Sequence, residues 1–342
     1  MQQLLPTQEL ILKGIQRLQA IHKESEQGKL GILRAGNTGA LLANGKAVGK
    51  CMRLSLLRAL GVDGDVENTS REFMFAAGRT NEDSWLEKLA ASGIPLSRIK
   101  RETDWPISWQ LTSGRMVTGR PDFVLLDAEG KPERGLELKL VSSIWTGRDV
   151  LIKGRPKMEH LLQATHYAWK VGCTFEIWYT NRALFQIPYM GNVKWPARGS
   201  ALSKYFDYDD DTDEVRSMTP FSVGFEVRVP TVETEPVEFA PITEGPRVWV
   251  KSPISVAGIR NWYETLDKHI PETYTKLPPR PDSLLADGDR KSSKVCSYCP
   301  LSQVCDKREG RTKQEWIKEA QNWLGTLPMG GSMPTTKDKI QE

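Results

Sequence analysis

The chain has 342 residues, 39% of them hydrophobic, with 47 Lys and Arg set against 43 Asp and Glu for a net charge of +4. That length holds one large or two small domains with a substantial core. The charge surplus is too small for general attraction to a polyanion, so any nucleic-acid contact has to come from a local patch. No apolar run approaches the roughly 20 residues that span a bilayer, and the N-terminus lacks the basic-then-apolar layout of a signal peptide; the expectation is a cytoplasmic protein with no membrane partner.

In chain order, Leu10, Ile11, Ile15, Leu18 and Ile21 fall at helical spacing, which predicts an amphipathic N-terminal helix within residues 1–35. The Gly-rich passage from Gly36 to Lys50 invites comparison with a phosphate-binding loop. Ala47 and Cys51 stand where that loop needs a hydroxyl, so no nucleotide hydrolysis is expected. Cys51 opens a short predicted helix that carries Arg53 and Arg58. Between Arg71 and Ser92, Phe75, Gly78, Trp85 and Leu89 mark a helical stripe, and Glu82 lies on it. A carboxylate on a core-facing stripe is costly unless it is paired or binds a metal; the plain alternative leaves Glu82 in water.

The stretch GRPDFVLLDAEGKPERGLELKLVSS, Gly119 to Ser143, reads as strand, turn, strand, with Gly130 and Pro132 at the turn. Pairing of the two strands would bring Asp122 and Glu137 together. Because side chains alternate along a strand, Glu137 and Lys139 share one face while Leu136, Leu138 and Leu140 share the other. Two carboxylates supply hard oxygen ligands for Mg²⁺ or Mn²⁺, and a lysine supplies a cation for the charge that develops on phosphorus. This is the residue set of a metal-dependent nuclease centre. The spacing alone also fits a solvated strand edge.

In the next segment Trp145 sits among Arg148, Lys153, Arg155 and Lys157. Interleaved aromatic and basic side chains suit stacking on a base and gripping a single strand, or form a solvated loop with one anchoring Trp. A helix is expected from Lys157 to Lys170 with Met158, Leu161, Leu162, Thr165 and Trp169 toward the core. His160, Gln163 and Tyr167 then share another face, turned to the centre or to water. The run from Phe175 to Met190 reads as a hairpin through Asn181-Arg182. Asp207 to Glu214 lacks the glycine and closing glutamate of a calcium loop and reads as a solvated acidic loop. The segments FEVRVP and RVWVK read as strands, and Val256 to Ile270 as a helix.

Of the five cysteines, Cys296, Cys299 and Cys305 form a C-x2-C-x5-C cluster. In a reducing compartment such a cluster argues for metal ligation. It wants a fourth thiolate, for which Cys51 is the candidate, while Cys173 suits a small buried hydrophobe. An iron-sulfur cluster fits four thiolates, with zinc as the alternative. A last helix, Lys313 to Leu324, is expected before a polar tail.

In their order, Cys51 with Arg53, Gly78 with Glu82, Gly119-Arg120-Pro121-Asp122, Glu137-Leu138-Lys139, Gln163 with Tyr167, and the terminal cysteine cluster resemble the PD-(D/E)XK nuclease superfamily, in its RecB-like branch with an iron-sulfur cluster. The CRISPR-associated iron-sulfur exonucleases belong to that branch. The resemblance spans Cys51 to Cys305. It implies an α/β fold with a restriction-endonuclease-like core, a mixed β-sheet flanked by helices and termini stapled by a 4Fe-4S cluster on Cys51, Cys296, Cys299 and Cys305. On this reading residues 36–310 form the nuclease domain, with an insertion at about 192–246, and 311–342 form a helix and tail. Glu82, Asp122 and Glu137 would hold Mg²⁺ or Mn²⁺, with Glu82 where many relatives have His. Lys139 would orient the water or stabilise charge, and Gln163 and Tyr167 would position DNA. Arg120, Trp145, Arg148, Lys153 and Arg155 are the expected DNA contacts. The implied function is an exonuclease acting on single strands or DNA ends in recombination, repair or replication, with a helicase, recombinase or CRISPR integrase as partner. The alternative is a catalytically silent nuclease-like module that binds DNA or a partner.

Overall fold

A computed structural model of the chain describes residues 32–60, 69–187, 194–270, Pro278, Glu315, Lys318 and Asn322, with backbone alone for 69–75. The strands are β1 (Leu33–Arg34), β2 (Gly39–Leu41), β3 (Ala47–Gly49), β4 (Ile99–Arg101), β5 (Ile107–Gln110), β6 (Met116–Gly119), β7 (Phe123–Leu126), β8 (Pro132–Leu140), β9 (Thr174–Asn181), β10 (Phe185–Gln186), β11 (Phe206–Tyr208), β12 (Val215–Met218), β13 (Phe221–Arg228), β14 (Glu238–Pro241) and β15 (Val250–Lys251). The helices are α1 (Met52–Ala59), α2 (Thr69–Ala91), α3 (Ile144–Ile152), α4 (Met158–Val171) and α5 (Val256–Lys268). Two compact units result, one of residues through Ala76 with Trp109–Thr118 and Arg260 onward, the other of Ala77–Ser108 with Gly119–Ile259.

The second unit is a mixed sheet flanked by helices. Its seven strands run in the order β15-β14-β13-β9-β8-β7-β4, with β8 parallel to β9 and the remaining pairings antiparallel. The parallel step needs a crossover, and α3 and α4 supply it. The β7–β8 hairpin closes where the sequence places it. The Asp127 carboxylate accepts the Lys131 N–H at 2.8 Å, and Gly130 takes φ +81°, the left-handed region glycine enters without penalty.

One face of this sheet is apolar: Phe123, Leu136, Leu138 and Ile99 are buried there under Trp85, Leu86 and Leu89 of α2. A one-residue slip would turn those leucines outward, so this packing fixes the register of β8. The opposite face lies under α4, where Tyr167 meets Phe175 with ring centroids 5.9 Å apart. Val250 and Lys251 occupy the outer edge. Within 192–246, β13 and β14 are integral strands of the main sheet, next to β9.

The expected hairpin from β9 into Phe185–Gln186 does not form. β9 lies between β8 and β13 with both edges occupied, and β10 instead pairs with β12 in a separate sheet, order β10-β12-β11. Asn181 turns the chain there, its Oδ1 accepting the Ala183 N–H at 2.8 Å. The acidic run joins β11 to β12, and Asp209 is engaged by Arg216 and by the Asp211 and Thr212 amides, as a loop stabilised by its own polar groups.

The first unit contains the β2–β3 hairpin, with Gly45 in its turn, and α1, whose Met52, Leu56 and Leu57 are fully buried. The Tyr263 hydroxyl meets Thr38 at 2.8 Å and Arg115 pairs with Asp267 at 2.5 Å. Cys51 stands at the N-cap position of α1. The apolar residues of the N-terminal helix expected within 1–35, the C-terminal tail, and Cys296, Cys299 and Cys305 lie outside the described residues; of the helix expected over Lys313 to Leu324, Glu315, Lys318 and Asn322 are described, helical and exposed.

Gly135 of β8 lies beside its cross-strand partner Phe175 of β9: a Cβ there would come within 2.1 Å of the Phe175 ring, itself fully buried. Overpacking of this kind costs about 1–3 kcal/mol. Gly135→Ala is expected to lower the melting temperature by several degrees, measurable by calorimetry; an unchanged or raised value would show that the ring is free to move.

Candidate active site

Antiparallel pairing sets Phe123 opposite Leu136 and Val124 opposite Gly135, and continuing that register by one residue puts Asp122 opposite Glu137. The two carboxyls therefore rise from the same face, with Lys139 two residues further along β8. Asp122 does not extend the ladder; its Oδ2 accepts the Leu138 N–H at 2.5 Å, which ties the end of β7 to the centre of β8. The Lys139 ammonium donates to Glu137 Oε1. Glu137 is 1% exposed, and its second oxygen, Oε2, has no hydrogen-bond partner among the described residues.

From α4, Gln163 bridges the two halves of the site. Its Oε1 accepts from Lys139 Nζ at 3.3 Å and its Nε2 donates to the Tyr167 hydroxyl at 3.2 Å. The amide can serve both only in this orientation. Tyr167 is buried, so the polar stripe of α4 faces the sheet and not water. The core side of α4 differs from expectation at its ends. Leu161, Leu162 and Thr165 are buried as expected, Met158 and Trp169 only partly, and His166 is fully buried. Burial and nearby Lys170 push His166 down to about 3, so it is a neutral packing residue.

Glu82 enters from α2 at the margin of the site. The inward positions of that helix include Asn81, which is buried, and Trp85; Glu82 is consequently half-buried. Asn81 Oδ1 also has no partner among the described residues, and nothing in the sequence singled that residue out.

Burial and mutual repulsion govern the acids. Burial, and then the Asp122 charge, raise Glu137 to about 8. Burial, followed by Asp122 and Glu102, raises Glu82 to about 7, against the opposing pull of Arg101. Burial raises Asp122 too, despite Lys139 and the Leu138 amide. Burial alone would lower Lys139, but Glu137 and Asp122 carry it above its ordinary value, so the amine is a cation at neutral pH. Burial and Glu137 hold the Tyr167 phenol well above its usual range.

The arrangement is two acids, Glu137 buried and Asp122 partly so, and one ammonium, with half-buried Glu82 at the margin, in which negative charge is under-compensated. Among the described residues no group of three His, Cys, Asp or Glu side chains is placed so that it could hold a metal ion as it stands. The chemistry of the donors is that of a hard divalent cation's ligands: carboxylate oxygens alone, one of them buried and unpartnered, with proton affinities raised by burial and then by neighbouring charge.

Arg120 is exposed two residues before Asp122. Residues Ile144–Ile152 form α3 and not a loop. Ser143 caps it, and buried Gly147 fits it against Met218, where a Cβ would come within 2.7 Å of sulfur. Trp145 on α3 is 45% exposed, and the Arg148 guanidinium lies 5.0 Å from its ring centre. Arg148 and Lys153 both bind the Asp149 carboxylate, at 2.8 and 3.0 Å, which reduces the positive charge they offer. Arg155 is exposed. Cys173 precedes β9, partly buried, its thiol pushed up to about 12 by burial, as befits a packing residue.

Comparisons of the chain with protein-family models, with characterised proteins and with solved structures returned no match.

The raised acids make a signed prediction. Glu137 and Glu82 keep their protons in the folded chain to about 8 and about 7 but release them from 4.5 upward when unfolded. The folded state thus binds more protons between those limits, and its stability falls as pH rises through them. In chelator, the melting temperature is expected to decline from pH 5 to pH 8, with a shallower decline for Glu137→Gln. A melting temperature that climbs over this range would contradict the assignment.

Proposed function

We propose that the chain is a metal-dependent phosphodiester hydrolase acting on DNA, built on a PD-(D/E)XK-like core. The observation that carries this reading is the grouping of Asp122, Glu137 and Lys139 on one sheet face, with a buried Glu137 oxygen left unpartnered. Asp122 and Glu137, with Glu82 at the margin, are the residues that would hold Mg²⁺ or Mn²⁺. When bound, such an ion would polarise the phosphate and lower the pKa of a water.

The chain's own residues divide the remaining work. Lys139 is charged, so it acts as an electrostatic partner for the developing negative charge and not as a base. Gln163 fixes the direction of that ammonium and links it to Tyr167. The Leu138 amide orients Asp122. Trp145, backed by Arg148, offers an exposed ring on which an unpaired base can stack, and Arg120 and Arg155 offer charge to the backbone. A 4Fe-4S cluster on Cys51, Cys296, Cys299 and Cys305 belongs to the same proposal and rests on the sequence; iron content with and without Cys296→Ser tests it. A DNA-processing partner such as a helicase, recombinase or integrase remains part of the proposal on the same ground.

The decisive assay is degradation of end-labelled DNA with Mg²⁺ or Mn²⁺. Asp122→Ala and Lys139→Ala are each expected to slow cleavage at least about 10²-fold, the scale of removing one transition-state contact. If wild type is inert, a silent binding module replaces the hydrolase reading; if both variants cut normally, hydrolysis at this centre is wrong. Trp145→Ala removes a stacking contact of about 1–3 kcal/mol, so KM for single strands is expected to rise about fivefold or more while cleavage of a small phosphodiester is unchanged. Equal effects on both substrates would place Trp145 in the fold and not at the strand.

A further inference from the structure

Tyr179 of β9 is paired in register with Lys139 of β8, and because directly paired residues share a face the two side chains leave the sheet on the same side. Tyr179 is fully buried, so its hydroxyl has to be satisfied inside the protein. The oxygen accepts the Lys157 N–H at 3.0 Å. The other partner of that hydroxyl among the described residues is His160 Nδ1, at 2.7 Å. Since the oxygen already accepts from Lys157, the Tyr179 hydroxyl has Nδ1 as the acceptor for its proton, an arrangement that requires the imidazole tautomer with its proton on Nε2, toward Glu159 Oε1 at 3.6 Å.

The geometry around it ties α4 to the strand beneath. Lys157 is the N-cap residue of α4 and makes no side-chain cap, so the Tyr179 hydroxyl holds the first peptide of the helix from below. His160, Gln163 and Tyr167 follow at spacings of three and four, one stripe along the same helix face. Tyr179 stands under the first of them, and Lys139 meets the second. The Gln163–Lys139 bond is 3.3 Å, close to the limit of a useful hydrogen bond, so a shift of the helix start by a few tenths of an ångström breaks it.

We infer that Tyr179 and His160 form a positioning pair: they set where α4 stands over β8, and through Gln163 they hold the Lys139 ammonium on the Glu137 side of the site. The inference rests on the hydrolase reading above. Neither residue touches the reacting atoms, and their contribution is orientation.

The test compares Tyr179→Phe, His160→Leu and His160→Asn with wild type and with Lys139→Ala on end-labelled DNA. Asparagine sets its Oδ1 where the imidazole has Nδ1, so it keeps an acceptor for the tyrosine. Tyr179→Phe and His160→Leu are each expected to lower kcat about tenfold or more, as small misplacements of a reacting group do, with KM within about twofold. The double variant should be no worse than the poorer single one, and His160→Asn should recover most of the loss. Unchanged kcat, a loss confined to KM, multiplicative losses, or His160→Asn as poor as His160→Leu would each overturn the pairing. Should a variant fail to fold, the imidazole nitrogen shifts of His160 in wild type, assigned with His160→Asn, decide instead. A bare Nδ1 is expected at neutral pH, and a proton on Nδ1 overturns the proposal. Wild type that cleaves while Lys139→Ala does not isolates a failure of the pairing from a failure of the hydrolase reading; inert wild type overturns both.

Discussion

The Glu137 carboxyl is almost wholly removed from water, shares one oxygen with the Lys139 ammonium and keeps the other unpartnered, facing the charge of Asp122. An ionised carboxylate in that setting is costly, and one ammonium does not offset three acids. Much of the second unit can be understood as what is needed to hold this group together. The apolar face of β8, packed against Trp85, Leu86 and Leu89, fixes its register and thereby the aim of Glu137 and Lys139 toward the face under α4. The hairpin turn at Asp127–Lys131, together with the register shift between Leu125 and Leu126, sets the offset that brings Asp122 opposite Glu137.

Held this way, the group has two means of relief: protons or a cation. The raised proton affinities of Glu82 and Glu137 are the first, and they leave the site protonated in part near neutrality. On the proposed reading a divalent cation would be the second, and it would link occupancy of the site to proton release. Without a bound ion the ammonium of Lys139 stays charged, because the charges of Glu137 and Asp122 raise its affinity by more than burial lowers it. The polar stripe of α4 completes the arrangement from above, with Gln163 as the only link between Lys139 and Tyr167 that the hydrogen bonds of the described residues show.

Most of this centre is legible in the sequence because it depends on local pattern. Alternation along β8 sorts Glu137 and Lys139 from Leu136 and Leu138, a glycine turn closes the hairpin, and a four-residue step aligns Gln163 with Tyr167. What is not legible depends on pairings between distant segments. Phe185–Gln186 has the composition of a return strand, but β13, some forty residues on, already occupies the edge of β9. Tyr179 looks like one more alternating aromatic of β9; only its parallel register with Lys139 and the seating of α4 reveal a partner for His160. Trp145 and its basic neighbours are visible as a cluster, yet the neutralising role of Asp149 requires the helix that places it between Arg148 and Lys153. Glu82 lies on a helical stripe in one dimension and at the margin of a site in three.

The most direct measurement is the proton balance of Mn²⁺ binding: calorimetric titration of the metal-stripped chain at pH 7 in buffers of different ionisation enthalpy. If the three acids are a cation site held partly protonated by burial, Mn²⁺ should bind with release of about one proton per ion, and Glu137→Gln should abolish most of that release. Binding without proton release, or release unchanged in Glu137→Gln, would contradict the account and place the cation elsewhere.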